Sequence, residues 1–149
     1  MNNRRKFADS ESGQAVLEIA LFMPFLLLFL VGAVDLGRLS QFDTKLTSGA
    51  RAGAQYGSLN LETADDTTGM TTAAQNDMTG MTGITVSPTK YCTCVGGGGT
   101  VTCTATACSS SHRLLYVSVT VTGTFHPLFK YFSSTSVSRS KTATLQVGQ

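Results

Sequence analysis

The chain has 149 residues, a formal net charge of +2 and only 13% charged side chains. That length suits one modest domain and not two, and so mild a charge gives no basis for a nucleic-acid surface, which needs clustered Lys and Arg. The charged share is about half that of ordinary soluble domains; apolar residues gather near the N-terminus, and the remainder is rich in Thr, Ser and Gly.

Residues 19–34 hold no charge, and Ala15, Val16 and Leu17 upstream and Leu36 downstream extend the apolar run past Glu18 and Asp35. The extended stretch reaches the roughly 20 residues a helix needs to cross a ~30 Å hydrocarbon core. A buried core helix is the soluble alternative, but the polar remainder is too small to wrap such a helix on every side. Arg4, Arg5 and Lys6 precede the run, whereas Arg38, Lys45 and Arg51 after it are interleaved with Asp35 and Asp43. The denser basic cluster places the N-terminal side in the cytoplasm and the C-terminal domain outside. A cleaved secretory signal is disfavoured: its apolar region normally spans about 7–15 residues and ends at a small-x-small site, and here Asp35-Leu36-Gly37-Arg38 follows.

A carboxylate inside an apolar run is costly and usually functional, and Glu18 stands five positions after Gly13. The segment Gly13-Gln14-Ala15-Val16-Leu17-Glu18 resembles a prepilin peptidase site, with Glu18 at the fifth position of a chain beginning at Gln14. Pro24, a Leu/Phe run, then Gly32, Asp35, Gly37 and Arg38 complete an ordered string, and Gly49-Ala50-Arg51-Ala52-Gly53-Ala54 follows. This string resembles the N-terminal signature of the TadE-like family of tight-adherence pilus proteins. The resemblance covers about the first third of the chain. It implies a pseudopilin or minor pilin of a Flp-type pilus secretion system: a single-pass protein of the bacterial inner membrane, with the pilus as a second location. Gly13, Gln14 and Glu18 would form the processing site, and Glu18 would also serve subunit assembly by pairing with the new amino group at Gln14 of a neighbour. Implied partners are membrane lipid, other pilins or pseudopilins, pilus assembly proteins and a prepilin peptidase. The second reading is an uncut, membrane-anchored extracytoplasmic binding module.

Past the span, Leu36, Leu39, Phe42, Leu46, Ala50, Gly53 and Tyr56 recur at spacings of three and four, an amphipathic stripe. A helix over 12–56 would be on the order of 65 Å long, with Pro24 removing one internal bond and kinking it. Residues 60–72 read as a Thr-rich loop and 70–78 as a short helix. Gly80, Gly83 and Pro88 punctuate a strand at 84–87. The clearest strand is 115–125, with Val117, Val119 and Val121 on one face and Ser118, Thr120 and Thr122 on the other. Residues 125–132 form an apolar loop broken by Pro127. Ala143, Leu145 and Val147 alternate with Thr142, Thr144 and Gln146 as a second half-buried strand. The expected fold is α+β, pilin-like: a long N-terminal transmembrane helix packed on a small antiparallel sheet. The expected organisation is a basic leader at 1–13, the transmembrane and extended helix at 14–56, and an extracytoplasmic domain at 57–149.

Cys92, Cys94, Cys103 and Cys108 flank the run Gly96–Gly99. Four thiolates can hold zinc, but Cys-x-Cys is tighter than the usual ligand pair, and an external location favours disulfides. Cys92 and Cys94 are alternate residues of one strand, ~6–7 Å apart where a bridge wants Cα atoms within about 4.4–6.8 Å, so each is expected to bond Cys103 or Cys108, nested or crossed, stapling a hairpin of 90–95 on 100–106. The glycine run lacks the Gly-Lys-Ser/Thr ending of a phosphate loop. His112 and His126 read as surface or packed histidines, and Asp65-Asp66 as a solvated pair. No nucleophile can be matched to a base, so neither enzymatic activity, cofactor nor metal is expected.

Overall fold

The computed structural model describes residues 10–96, 99–104, 108, 112–128 and 136–148. The basic leader residues Arg4, Arg5 and Lys6, the tip residues Gly97 and Gly98, residues 105–107 of the expected hairpin and residues 129–132 of the apolar loop lie outside that set. The elements are α1 (Ser10–Gly57), α2 (Leu61–Asp65), α3 (Thr67–Asp77), β1 (Ile84–Cys94), β2 (Arg113–Phe125) and β3 (Val137–Gln146). The fold is α+β, and the chain divides into two compact units, Met1–Arg38 and Leu39–Gln149, with α1 contributing to both.

In the first unit, the apolar side chains of α1 are exposed all around the helix; Leu17 and Phe29 keep about three-quarters of their surface, at 75% and 76%. A helix apolar on every face has no polar side to give to water and suits lipid. Among the described residues it is the helix long and apolar enough to cross a membrane. α1 continues through Pro24, which lies inside it.

In the second unit, the same helix turns one face inward. Leu46, Ala50 and Ala54 are buried and pack with Met70, Ala74 and Met78 of the α3 segment and with Val117, Val119 and Val121 of β2. Small residues on α1 let α3 come close: a Cβ at Gly53 would stand 2.9 Å from the Met70 carbonyl oxygen. Phe42 of α1 meets Phe125 of β2 with ring centroids 5.7 Å apart, tilted by 60°, an edge-to-face type of arrangement that aromatic quadrupoles favour. Of the expected stripe, Leu46, Ala50 and Gly53 are buried and Phe42 and Tyr56 half-buried, while Leu36 belongs to the exposed first unit.

Three local expectations are corrected. The 60–72 segment is not a loop: it holds α2 and the start of α3. Its polar residues make caps. Asn60 Oδ1 accepts from the Thr63 amide at 2.8 Å and Thr63 Oγ1 accepts from the Asn60 amide at 3.1 Å, a reciprocal capping box. Asp66 then caps α3, accepting from the Gly69 amide at 2.8 Å. Second, β1 does not stop at Ser87 but runs through Pro88 to Cys94. Third, among the described residues 90–95 does not pair with 100–104 as a two-stranded hairpin. It pairs with β2 (Lys90 opposite Val117, Cys92 opposite Leu115), and Val101 makes only an isolated bridge to Cys92. The valine-rich β2 offers a long ladder with a buried face, which the Thr-rich 100–106 segment cannot match.

The sheet is antiparallel in the order β1-β2-β3. Its hydrogen-bond phase follows from two bonds just beyond the strand ends. The Val95 amide donates to the His112 carbonyl directly opposite, and the Val147 amide donates to the Leu115 carbonyl directly opposite, both at 2.9 Å. Bonded and non-bonded pairs alternate along an antiparallel ladder. Even-numbered residues of β1 and of β3 therefore turn their backbone amides and carbonyls away from β2. Pro88 is such a residue, so its missing N–H removes no ladder bond, and a proline is tolerated in mid-strand on an edge.

Candidate functional site

The processing-type segment lies in the first turns of α1. Gly13, Gln14 and Glu18 are all exposed. A Cβ at Gly13 would meet nothing within 4 Å, so no packing within the chain asks for glycine there, although glycine weakens a helix by roughly 1 kcal/mol relative to alanine. Gln14 and Glu18 are separated by four residues and share a helix face. An amino group created at Gln14 would stand on the same face as the Glu18 carboxylate.

At the end of the first unit, Asp35 and Arg38 form an ion pair of 3.4 Å across one turn. In the second unit, Asp43 faces two cations of β3, Lys141 at 3.3 Å and Arg139 at 3.7 Å. Its Oδ1 and the Arg139 Nε are buried atoms without a hydrogen bond. The pairing was invisible along the sequence, because 96 or more positions separate the partners; alternation in β3 put Arg139 and Lys141 on the face of Ala143, but nothing local named Asp43.

The four cysteines form two crossed disulfides, Cys92–Cys103 and Cys94–Cys108, with Cα atoms 5.3 and 5.7 Å apart. All four sulfurs are used, so no thiolate is left there for a metal. The Val101 amide donates to the Cys92 carbonyl at 2.7 Å, and Arg113 donates to the Cys103 carbonyl at 2.8 Å. The segment after Gly96, whose φ is +98°, is thus tied to the outer edge of β1. Positive φ is cheap for glycine alone.

Of the expected solvated pair, Asp65 is exposed and Asp66 half-buried. Asp65 forms an ion pair with Lys90 of β1. Asp66 accepts from the Tyr56 hydroxyl at 2.8 Å as well as from the Gly69 amide. The Gly69 amide first, and the Tyr56 hydroxyl second, hold the Asp66 carboxyl below the usual carboxylate range, and the same bond raises the Tyr56 phenol. These contacts fasten α1 to the cap of α3. His112 and His126 are both exposed, and among the described residues no three His, Cys, Asp or Glu side chains cluster as a metal site.

A long exposed apolar helix leads into a small, disulfide-stapled α+β unit. The sequence model of the TadE-like protein family matches residues 13–55, the stretch that begins at the processing-type glycine and ends with the glycine- and alanine-rich face of α1. No curated protein and no solved structure matches the chain.

Proposed function

We propose that this chain is a pseudopilin or minor pilin of a tight-adherence (Flp-type) pilus system, acting as a structural and assembly component and not as an enzyme. The observation that carries the reading is the TadE-like match over 13–55 on a helix whose apolar residues are exposed on every side. In this reading α1 anchors the chain in the bacterial inner membrane. Arg4, Arg5 and Lys6 keep the N-terminus in the cytoplasm, and the β-sheet unit stands outside, where its disulfides form. A prepilin peptidase cuts after Gly13, a residue that the chain's own packing does not require. Glu18 then pairs with the new Gln14 amino group of a neighbouring pilin, because an unpaired carboxylate in an apolar run is expensive.

Sequencing the mature N-terminus tests this. It should begin at Gln14, and Gly13→Leu should leave a longer protein in a peptidase-positive strain. Equal sizes for wild type and variant would remove the processing step and leave an uncut anchor. Glu18→Ala should spare insertion and lower pilus output; unchanged output would remove the assembly role.

A further inference from the structure

The two edges of the sheet are treated in opposite ways. On β1, the outward backbone positions include Pro88, which has no amide to offer, and Cys92, whose carbonyl is taken by the Val101 amide. Lys90 on the same edge is paired with Asp65. Proline, lysine and a covering segment are the devices by which proteins close an edge to strand pairing.

β3 carries two charged side chains, Arg139 and Lys141, but, among the described residues, neither a proline nor a covering segment on its outward backbone. Ser138, Ser140, Thr142, Thr144 and Gln146 turn their amides and carbonyls away from β2, and the register with β2 runs without a bulge from Val137 to Gln146. Among the described residues no strand lies beyond it. The side chains of those five residues are uncharged, whereas Arg139 and Lys141 point to the other face, where a single carboxylate, Asp43, faces both. One positive charge is left over at the β3 edge.

We propose that the β3 edge is a docking site for an extended segment of a partner polypeptide, added as a fourth strand and carrying acidic residues at alternate positions. A strand laid on this edge would satisfy the outward amides and carbonyls by main-chain bonds. Its residues on the α1-facing side would lie beside Arg139 and Lys141, two positions apart along β3, where opposite charges on neighbouring strands attract. Its other face would continue the Ser/Thr rows of the outer surface, in which Thr120 and Thr142 hydroxyls already bond at 2.9 Å and Thr144 donates to Ser118 at 3.0 Å. This site does not depend on the pilus reading: an anchored protein of any role could use it.

The test uses the full chain in nanodiscs of uncharged lipid and two fluorescent peptides of about nine residues, one alternating threonine with glutamate, the other threonine with lysine. The glutamate peptide should bind saturably and about tenfold or more tighter than the lysine peptide, and empty nanodiscs should bind neither. Thr142→Pro removes an outward amide without touching the β2–β3 ladder and should weaken binding about tenfold. Lys141→Gln, which keeps every backbone group, should narrow the preference for glutamate by about threefold or more. Absence of saturable binding, equal binding of the two peptides, or affinities unmoved by both variants would overturn the proposal.

Discussion

The two halves of α1 obey one backbone geometry and opposite solvents. Before Arg38, leucine and phenylalanine cover every face and stay exposed; from Leu39 to Gly57 the large apolar residues thin out, and glycine and alanine line a face that is buried under α3 and β2. A helix in lipid gains from apolar surface on all sides, whereas a helix on a small sheet gains from one close-packed stripe. The side-chain inventory, and not the helix itself, therefore marks which half is the candidate membrane span and which is core.

The sharpest way to break that contrast is one substitution made in both halves. Leu46→Ala should destabilise the second unit by about 2–5 kcal/mol, since a fully buried leucine is removed from a packed site. Leu27→Ala, at a residue exposed within the chain, should leave thermal unfolding of the second unit in micelles unchanged. Equal losses would mean that the first half is also core.

A charge probes the anchor from the other side. Leu27→Arg places a guanidinium in mid-span, at a cost of about 2.5–3.5 kcal/mol on insertion scales. The protein should shift out of the carbonate-resistant membrane fraction, and the shifted fraction, not exported, should carry free thiols. Full retention in the membrane would argue against the span.

The second unit has a further support that the first lacks. Replacing Cys94 and Cys108 by serine should cost about 2–4 kcal/mol, the usual worth of a bridge closing a short loop, and should raise protease cutting in 99–108. Because Cys92–Cys103 remains, β1 and β2 should keep their pairing. An unchanged melting temperature would show that the crossed bridges are redundant.

The smallest expected effect is a pH dependence. Asp66 has its folded pKa below the unfolded value, so its contribution is present above the ordinary carboxylate range and fades as pH falls through the folded value. Asp66→Asn keeps a capping oxygen but cannot titrate. It should flatten the acid limb of melting temperature against pH and leave the neutral region little changed. Tyr56 carries the opposite sign: its raised pKa makes its contribution fade only as pH rises beyond the ordinary tyrosine range. An acid limb identical to wild type would mean that Asp66 does not couple to folding.

Much of this arrangement is written in local pattern. Sixteen uncharged positions in a row make a candidate membrane span, because no small polar domain can cover them. The Gly13 to Glu18 spacing is a property of the string itself. Alternating valine with Ser and Thr in β2 commits those residues to a half-buried strand, since the side-chain period of a strand is two. Other features needed partners that are distant along the chain. Pro88 ended the strand on local rules, yet β1 continues because the tertiary register turns that residue's nitrogen to the outer edge. Asp66 caps α3 through Gly69, three residues on, but its second partner, the Tyr56 hydroxyl, comes from a different helix. The cysteines were confined to cross-pairing by their spacing, but the choice of crossed over nested bridges came from where β2 pulls β1 and leaves its outer side to Val101. Local pattern determines what each segment can bury. Only the three-dimensional register decides which polar groups, charges and sulfurs meet, because their energies depend on distances that sequence separation does not set.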